Sequence, residues 1–244
     1  MNQTFTLQQL QNLKLTGMAL HYEGILSLPT HQHPDGHTLI ASMAEAELLH
    51  RSNSKMKLYL HLSKLRYQAH LHELDYTKER NLQQSSIQQL ADCSYIKRAE
   101  NILITGATGV GKSFVACALG QQACAQGHRV LYYNLNKFIE KIAQAKLEGN
   151  MNKLLDSLDK VALLIFDDFG LMPLDNNARL ALLQILEDRY ERKSIIIASQ
   201  LPIANWYEYI DQSTIADAIM DRLTSSAHRI ELKGKSLRKK QNKL

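Results

Sequence analysis

Apolar positions change their spacing partway along this 244-residue chain. From Thr4 to about Leu90, leucines recur among polar residues at helical intervals: Leu7, Leu10, Leu13 and Leu15, then Leu58, Leu62 and Leu65. A break at Pro29–Gly36 divides that region into two helical pieces. From Asn101 onward, short apolar runs alternate with helical stretches. Asn101–Thr105, Arg129–Asn134, Val161–Asp167 and Ile195–Ala198 predict strands, and His228–Leu232 alternates like an edge strand. Helices are predicted over Lys112–Gln126, stopped by Gly127, and over Lys137–Leu158 with an interruption near Gly149. Two more are predicted over Asn176–Arg192 and Thr214–Ser225. Val161–Asp167 is almost wholly apolar, as a central strand covered on both faces should be. Strands alternating with helices imply parallel pairing through right-handed crossovers. The expected fold class is α/β: an open parallel sheet of about five strands flanked by helices, preceded by a small all-helical domain.

Composition narrows the setting. A hydrophobic fraction of 45% and a charged fraction of 22% are those of an ordinary globular chain with a sizeable core. No apolar run approaches bilayer length, and Met1–Leu20 lacks the apolar stretch of a signal peptide, so a cytoplasmic location and no membrane partner are expected. The three cysteines (Cys93, Cys117, Cys124) have no C-x-x-C spacing, and burial as small apolar residues is the expected role of Cys117 and Cys124. Eight of the ten histidines precede Glu73, and His31, His33 and His37 crowd the Pro/Gly break, which reads as a loop rather than a metal site. The net charge of +5 is less telling than its distribution. After Glu231 come Lys233, Lys235, Arg238, Lys239, Lys240 and Lys243 with no acidic residue. Such a run is either a solvated tail or a basic arm for nucleic-acid phosphates.

The chemistry concentrates after Thr105. Gly106-Ala107-Thr108-Gly109-Val110-Gly111-Lys112-Ser113 fits G-x-x-x-x-G-K-[ST] between a predicted strand and a predicted helix, the context a phosphate-binding loop needs. Its glycines let main-chain amides turn inward on a phosphate, the helix that follows adds a positive end, and Phe114 joins the loop among the expected nucleotide-binding residues. Lys112 is expected to reach the β- and γ-phosphates of ATP, and Ser113 to ligate magnesium. Ala162–Asp168 brings a buried strand to two carboxylates: Asp167 for the magnesium, Asp168 to orient or deprotonate an attacking water. Ser199 and Gln200 end the next strand, where a polar group can sense a γ-phosphate, Gln200 being the choice; a simple turn is the alternative. Arg222 either acts on a neighbouring subunit's γ-phosphate or pairs within its helix with Asp217 or Asp221. Arg189 is a second candidate for the same interface. The chain thus divides into a helical region (1–90), an ATPase domain (91–232) and a basic tail (233–244).

With these motifs in place, the chain resembles the IstB family of transposition helper ATPases, AAA+ relatives of the helicase loader DnaC. The similar segments are Ile104–Gly120, Phe166–Leu174, Ala198–Pro202, Ala216–Leu223 and Ala227–Lys239, with Leu13–Ala19 and Leu71–Tyr76 in the helical part. The resemblance implies an insertion-sequence protein that assembles with ATP between subunits on duplex DNA, helps select the target and stimulates a cognate transposase. It places Arg222 at the family's arginine finger and Arg238 near nucleotide or DNA. Asp168 stands where AAA+ proteins usually carry glutamate, so basal hydrolysis should be slow and DNA-stimulated. The competing expectation is a DnaC-like loader that grips a replicative helicase and holds single-stranded DNA.

Overall fold

The computed structural model describes residues 3–237, with side chains from Phe5 onward, and divides the chain into two compact units, one ending at Leu58 and one beginning at Tyr59. The first unit is helical, with α1 (Gln3–Asn12), α2 (Thr16–Leu26) and most of α3 (Gly36–Ser63). Lys14, at φ 59°, turns the chain between α1 and α2, a break that the leucine spacing does not reveal. The predicted break at Pro29–Gly36 holds one 3₁₀ turn (Thr30–Gln32) and ends in a cap for α3. Asp35 Oδ1 accepts from the amides of His37 and Thr38 at 2.9 and 3.1 Å, satisfying two donors that the first helical turn leaves unpaired. Glu47 ties α3 to α2, accepting from the Met18 amide at 3.2 Å and from Arg51 Nε at 2.6 Å.

The second unit is built on β1 (Asn101–Gly106), β2 (Val130–Asn134), β3 (Leu163–Phe169), β4 (Ser194–Ser199) and β5 (Ala227–Leu232). All pairings are parallel, in the order β2-β3-β4-β1-β5. The expected five-stranded parallel sheet is therefore present, with β5 at one edge. Alternate residues of each central strand enter opposite cores. Ile102 and Ile104 join Ile165, Ile196 and Ala198 on one face, under α6 (Lys112–Ala125). Leu103 joins Leu164, Phe166, Ile195 and Ile197 on the other. That second face is covered by α7 (Leu135–Leu147), α8 (Met151–Asp159), α9 (Asn176–Arg189), α10 (Trp206–Ile210) and α11 (Ser213–Thr224). Gly127, at φ 79°, stops α6 as expected: its amide bonds the Cys124 carbonyl and the His128 amide bonds Ala123, at 3.0 and 2.9 Å. The interruption near Gly149 separates α7 from α8. Cys117 and Cys124 are buried in the first core with Cys93, and burial pushes the Cys93 and Cys124 thiols up to about 11.

Two expectations need correction. Residues 64–83 are not helical: they hold only the short 3₁₀ turns Leu71–Glu73 and Lys78–Arg80 before α4 (Gln84–Ala91) and α5 (Ser94–Lys97). The boundary near residue 90 is also too late, because Ala69, Leu74, Leu82, Ile87 and Leu90 fill the core beneath α6. One helix cannot cover a sheet face this wide, so the chain before β1 supplies the rest of the cover. The third predicted segment lies only partly within the described residues, Arg238–Leu244 being outside them.

Arg189 is likewise not at an interface. It is 2% exposed and donates to the carbonyls of Leu158, Val161, Ala162 and Ser194 at 2.8–3.2 Å. Burial pushes its guanidinium down to about 10. It pins the α8–β3 connection to the start of β4. Arg189→Ala should lower stability by about 3 kcal/mol, since several carbonyls lose a charged donor and a cavity opens. Urea unfolding monitored by circular dichroism checks this.

Candidate nucleotide-binding site

Parallel strands carry their polar ends to one edge of the sheet, and the chemical groups collect at the ends of β1, β3 and β4. The loop after β1 curls as the glycine pattern requires. Gly109 sits at φ 81°, and a Cβ there would lie 2.2 Å from Ser236 Oγ. Lys112 Nζ donates to the carbonyls of Gly106 and Ala107 at 2.8 and 2.9 Å, lying back along its own loop. A cleft of about 390 Å³ is lined by residues 108–115 of this loop and helix, including Thr108, Val110, Gly111, Ser113 and Phe114, together with Asp168 and Gln200.

The carboxylates at the end of β3 are held from several sides. Asp167 is buried almost completely. Its Oδ2 accepts from the Tyr132 hydroxyl at 2.6 Å and its Oδ1 from the Asp168 amide at 2.9 Å. Burial, and then the Asp167 carboxylate, push the Tyr132 hydroxyl well above the ordinary tyrosine range, so it remains a donor. Asp168 sits at φ 60°, where the register of β3 against β4 shifts between Phe166 and Phe169. This bulge turns the second carboxylate out of the strand's alternation and into the cleft. Asn134 Nδ2 donates to Asp168 Oδ2 at 2.6 Å, and β2 brings Asn134 level with Asp167. Arg66 Nη1 lies 3.8 and 3.7 Å from Asp167 Oδ2 and Asp168 Oδ2.

Ser199 and Gln200 divide their work. The buried Ser199 hydroxyl donates to the Phe169 carbonyl at 2.7 Å and accepts from the Leu201 amide at 3.1 Å, so it stitches β3 to the turn after β4. Gln200 Oε1 instead accepts from the Thr108 hydroxyl at 2.7 Å, which brings it to the phosphate loop. Arg222 is brought to none of these groups. Its main-chain carbonyl accepts from Asn101 Nδ2 at 3.0 Å, at the start of β1. Its guanidinium meets Glu187 of α9, the Ala218 carbonyl and the Tyr190 ring, rather than Asp217 or Asp221. Arg238 lies outside the described residues.

The sequence pattern missed several neighbours of the site. Tyr132 and Asn134 were readable in principle, as polar residues at alternate positions on the strand preceding β3. Arg66 and Arg80 come from the irregular stretch, where no periodicity marks them. Arg80 is 8% exposed; it donates to the Lys235 carbonyl at 2.9 Å and the Val110 carbonyl at 3.4 Å, and pairs with Asp75 at 3.3 Å. The Lys233 amide bonds the Arg80 carbonyl at 3.0 Å, and the Leu237 amide bonds the Gly109 carbonyl at 2.9 Å. Residues 233–237, expected as the root of a tail, are thus laid against the phosphate loop.

A β2-β3-β4-β1-β5 parallel sheet with a phosphate loop after β1 and paired aspartates after β3 is the P-loop AAA+ fold. Its structural likenesses agree: DnaI (TM-score 0.58, 20% identity, 69% of this chain and 90% of that one) and the DnaC helicase loader (0.54, 19%, 70% and 99%). DnaA from Aquifex aeolicus, solved with AMPPCP, matches at 0.56 and 20%, covering 69% of this chain and 51% of its own. Within that fold, the chain belongs to the IstB-like ATP binding protein family, whose pattern matches residues 8–244. It is 41% identical over 238 residues to the putative insertion sequence ATP-binding protein y4pL of Sinorhizobium fredii, covering 98% of this chain and 97% of the relative. The insertion sequence IS21 putative ATP-binding protein of Pseudomonas aeruginosa is 29% identical over 234 residues, covering 96% and 88%.

Arg80→Ala should loosen residues 233–237 and weaken ATP binding about tenfold, because one wall of the cleft loses its charged anchor. Nucleotide titration calorimetry, with hydrogen exchange at the Leu237 amide, checks both effects.

Proposed function

We propose that this chain is an ATP-dependent DNA-binding helper of an insertion sequence. It assembles on duplex target DNA, hydrolyses ATP between subunits, and regulates and stimulates its transposase. The observation that carries this reading is the separation of Arg222 from the phosphate loop. Arg222 lies beside the start of β1 and the loop follows its end, so a six-residue strand, spanning about 17 Å, stands between them. An arginine so placed is too far to reach its own phosphate loop, which supports a role on a neighbour's nucleotide and a turnover that depends on assembly. The full-length kinship with insertion sequence ATP-binding proteins supports the transposase as partner.

In this reading the loop amides and Lys112 hold the β- and γ-phosphates. Ser113 and Asp167 offer a hydroxyl and a carboxylate, the hard oxygen donors that magnesium prefers, and Tyr132 fixes the carboxylate's orientation. Magnesium bound there would neutralise charge on the phosphate oxygens. Asp168 orients or deprotonates the attacking water, and Gln200, held by Thr108, senses the γ-phosphate. Aspartate reaches less far than glutamate, which supports slow turnover until DNA tightens the assembly. The helical first unit and the basic residues after Leu232 supply partner and phosphate-backbone contacts.

The fold likeness to the DnaC helicase loader favours a second reading, a loader acting on single-stranded DNA. That likeness spans 70% of the chain, whereas the insertion-sequence relatives span nearly all of it, so the first reading is preferred. ATP hydrolysis measured at matched low salt separates the two: duplex DNA should stimulate it more than single strands. Stimulation confined to single strands would transfer the assignment to the loader. Arg222→Ala should leave nucleotide binding by the monomer intact and reduce DNA-stimulated turnover at least a hundredfold, as loss of a charge-stabilising arginine does. Asp168→Asn should bind ATP and accumulate as assembled protein on DNA, seen by sedimentation.

A further inference from the structure

Two carboxylates side by side at the end of a buried strand repel each other, and something must offset their charge before any cation arrives. Tyr132 and Asn134 give the carboxylates hydrogen bonds but no charge. Arg66 brings positive charge: a single guanidinium nitrogen lies almost equidistant from both, 3.8 Å from Asp167 and 3.7 Å from Asp168. These separations suit an ion pair rather than hydrogen bonds, so the attraction is to the pair as a whole. Its charged group also lies 5.4 Å from the centre of the Tyr67 ring. Asp167 and Asp168 are 1% and 22% exposed at the side chain against 42% for Arg66, so solvent screens the contact mainly from the arginine's side and, at Asp168, from the cleft.

The geometry points to Arg66 as a positioning residue of the nucleotide site: a built-in counter-charge to Asp167 and Asp168 that sets how much magnesium the site requires. The inference rests on the ATP-binding reading above. A fixed guanidinium and a divalent cation compete for the same negative charge. Arg66 therefore holds the two carboxylates in place and lowers their pull on the cation. Removing it has opposite consequences for the two properties. The pair draws magnesium more strongly, while Asp168, released on one side, orients water less well. Loss of a purely structural support would weaken both together.

The test uses the full chain with Arg66→Gln and Arg66→Lys, following a fluorescent ATP analogue in EDTA, then across a magnesium titration, alongside ATP turnover. Arg66→Gln should bind the analogue in EDTA no more tightly than wild type, since the uncompensated carboxylates repel its phosphates. It should need roughly three- to tenfold less magnesium for half-maximal binding, the modest effect of a partly exposed charge. Its kcat should fall about tenfold with KM within twofold. Arg66→Lys, which keeps the charge, should restore the wild-type magnesium requirement and part of the turnover. A magnesium requirement equal to or above wild type in Arg66→Gln overturns the inference. Should that variant lose binding in EDTA, Tyr67→Leu by itself removes the ring support and keeps the guanidinium, and a magnesium requirement above wild type there also overturns the inference. Wild-type protein that binds no nucleotide at any magnesium concentration overturns the ATP reading itself, and so is distinguishable from failure of the counter-charge.

Discussion

Everything in the second unit follows from a parallel sheet whose central strands must be dry on both faces. β1, β3 and β4 alternate side chains into two separate cores, and each core needs a full cover. Helices between strands cover one face. On the other, α6 shares the work with the chain from Tyr59 to Lys97. That requirement draws an irregular stretch beside the phosphate loop, and with it come Arg66, Arg80 and Leu74, none of which belongs to the repeating pattern. Packing thus decides which polar groups reach the nucleotide cleft.

The site then solves an electrostatic problem with main-chain geometry. A fully buried Asp167 has to find donors inside the protein, and it takes them from Tyr132 and the amide of its own neighbour. The second of these is within reach because Asp168 leaves the regular strand at positive φ. One local departure therefore satisfies the first carboxylate and exposes the second, so two adjacent aspartates acquire different surroundings. Ser199 holds the bulge from the next strand through the Phe169 carbonyl. The order of the strands makes this arrangement possible: β2, β3 and β4 lie side by side, and all end at the same edge.

The sheet was legible because its strands are short apolar runs punctuated by glycine and aspartate, and because a phosphate loop has an unusually rigid spacing. Five strands and their parallel sense follow from that alone. Asp167, Asp168 and Gln200 were legible as polar ends of apolar runs. The division of labour between Ser199 and Gln200 was not, since both suit a strand end and only the bulge in β3 separates them. Arg189 was misread for a related reason: a charged residue at a helix end reads as exposed, and only the convergence of four carbonyls explains its burial. Leucine spacing suggests a helix over residues 64–83, but Leu65, Leu71, Leu74 and Leu82 join the core under α6 from an irregular path that holds two 3₁₀ turns. Tertiary contact, rather than local preference, sets its shape.

The hydrogen bond from Arg80 to Lys235 spans 155 residues of sequence. The cost of closing so long a loop grows only slowly with its length, but the contact must wait until both of its ends have been made. The wall of the nucleotide cleft is consequently a product of completed folding. The phosphate loop, the paired aspartates and Gln200 all precede β5 in the chain, so the polar groups of the cleft are made before residues 233–237, which lie against them. Residues 233–237, the last-made part of the described chain, are therefore the part that walls the cleft.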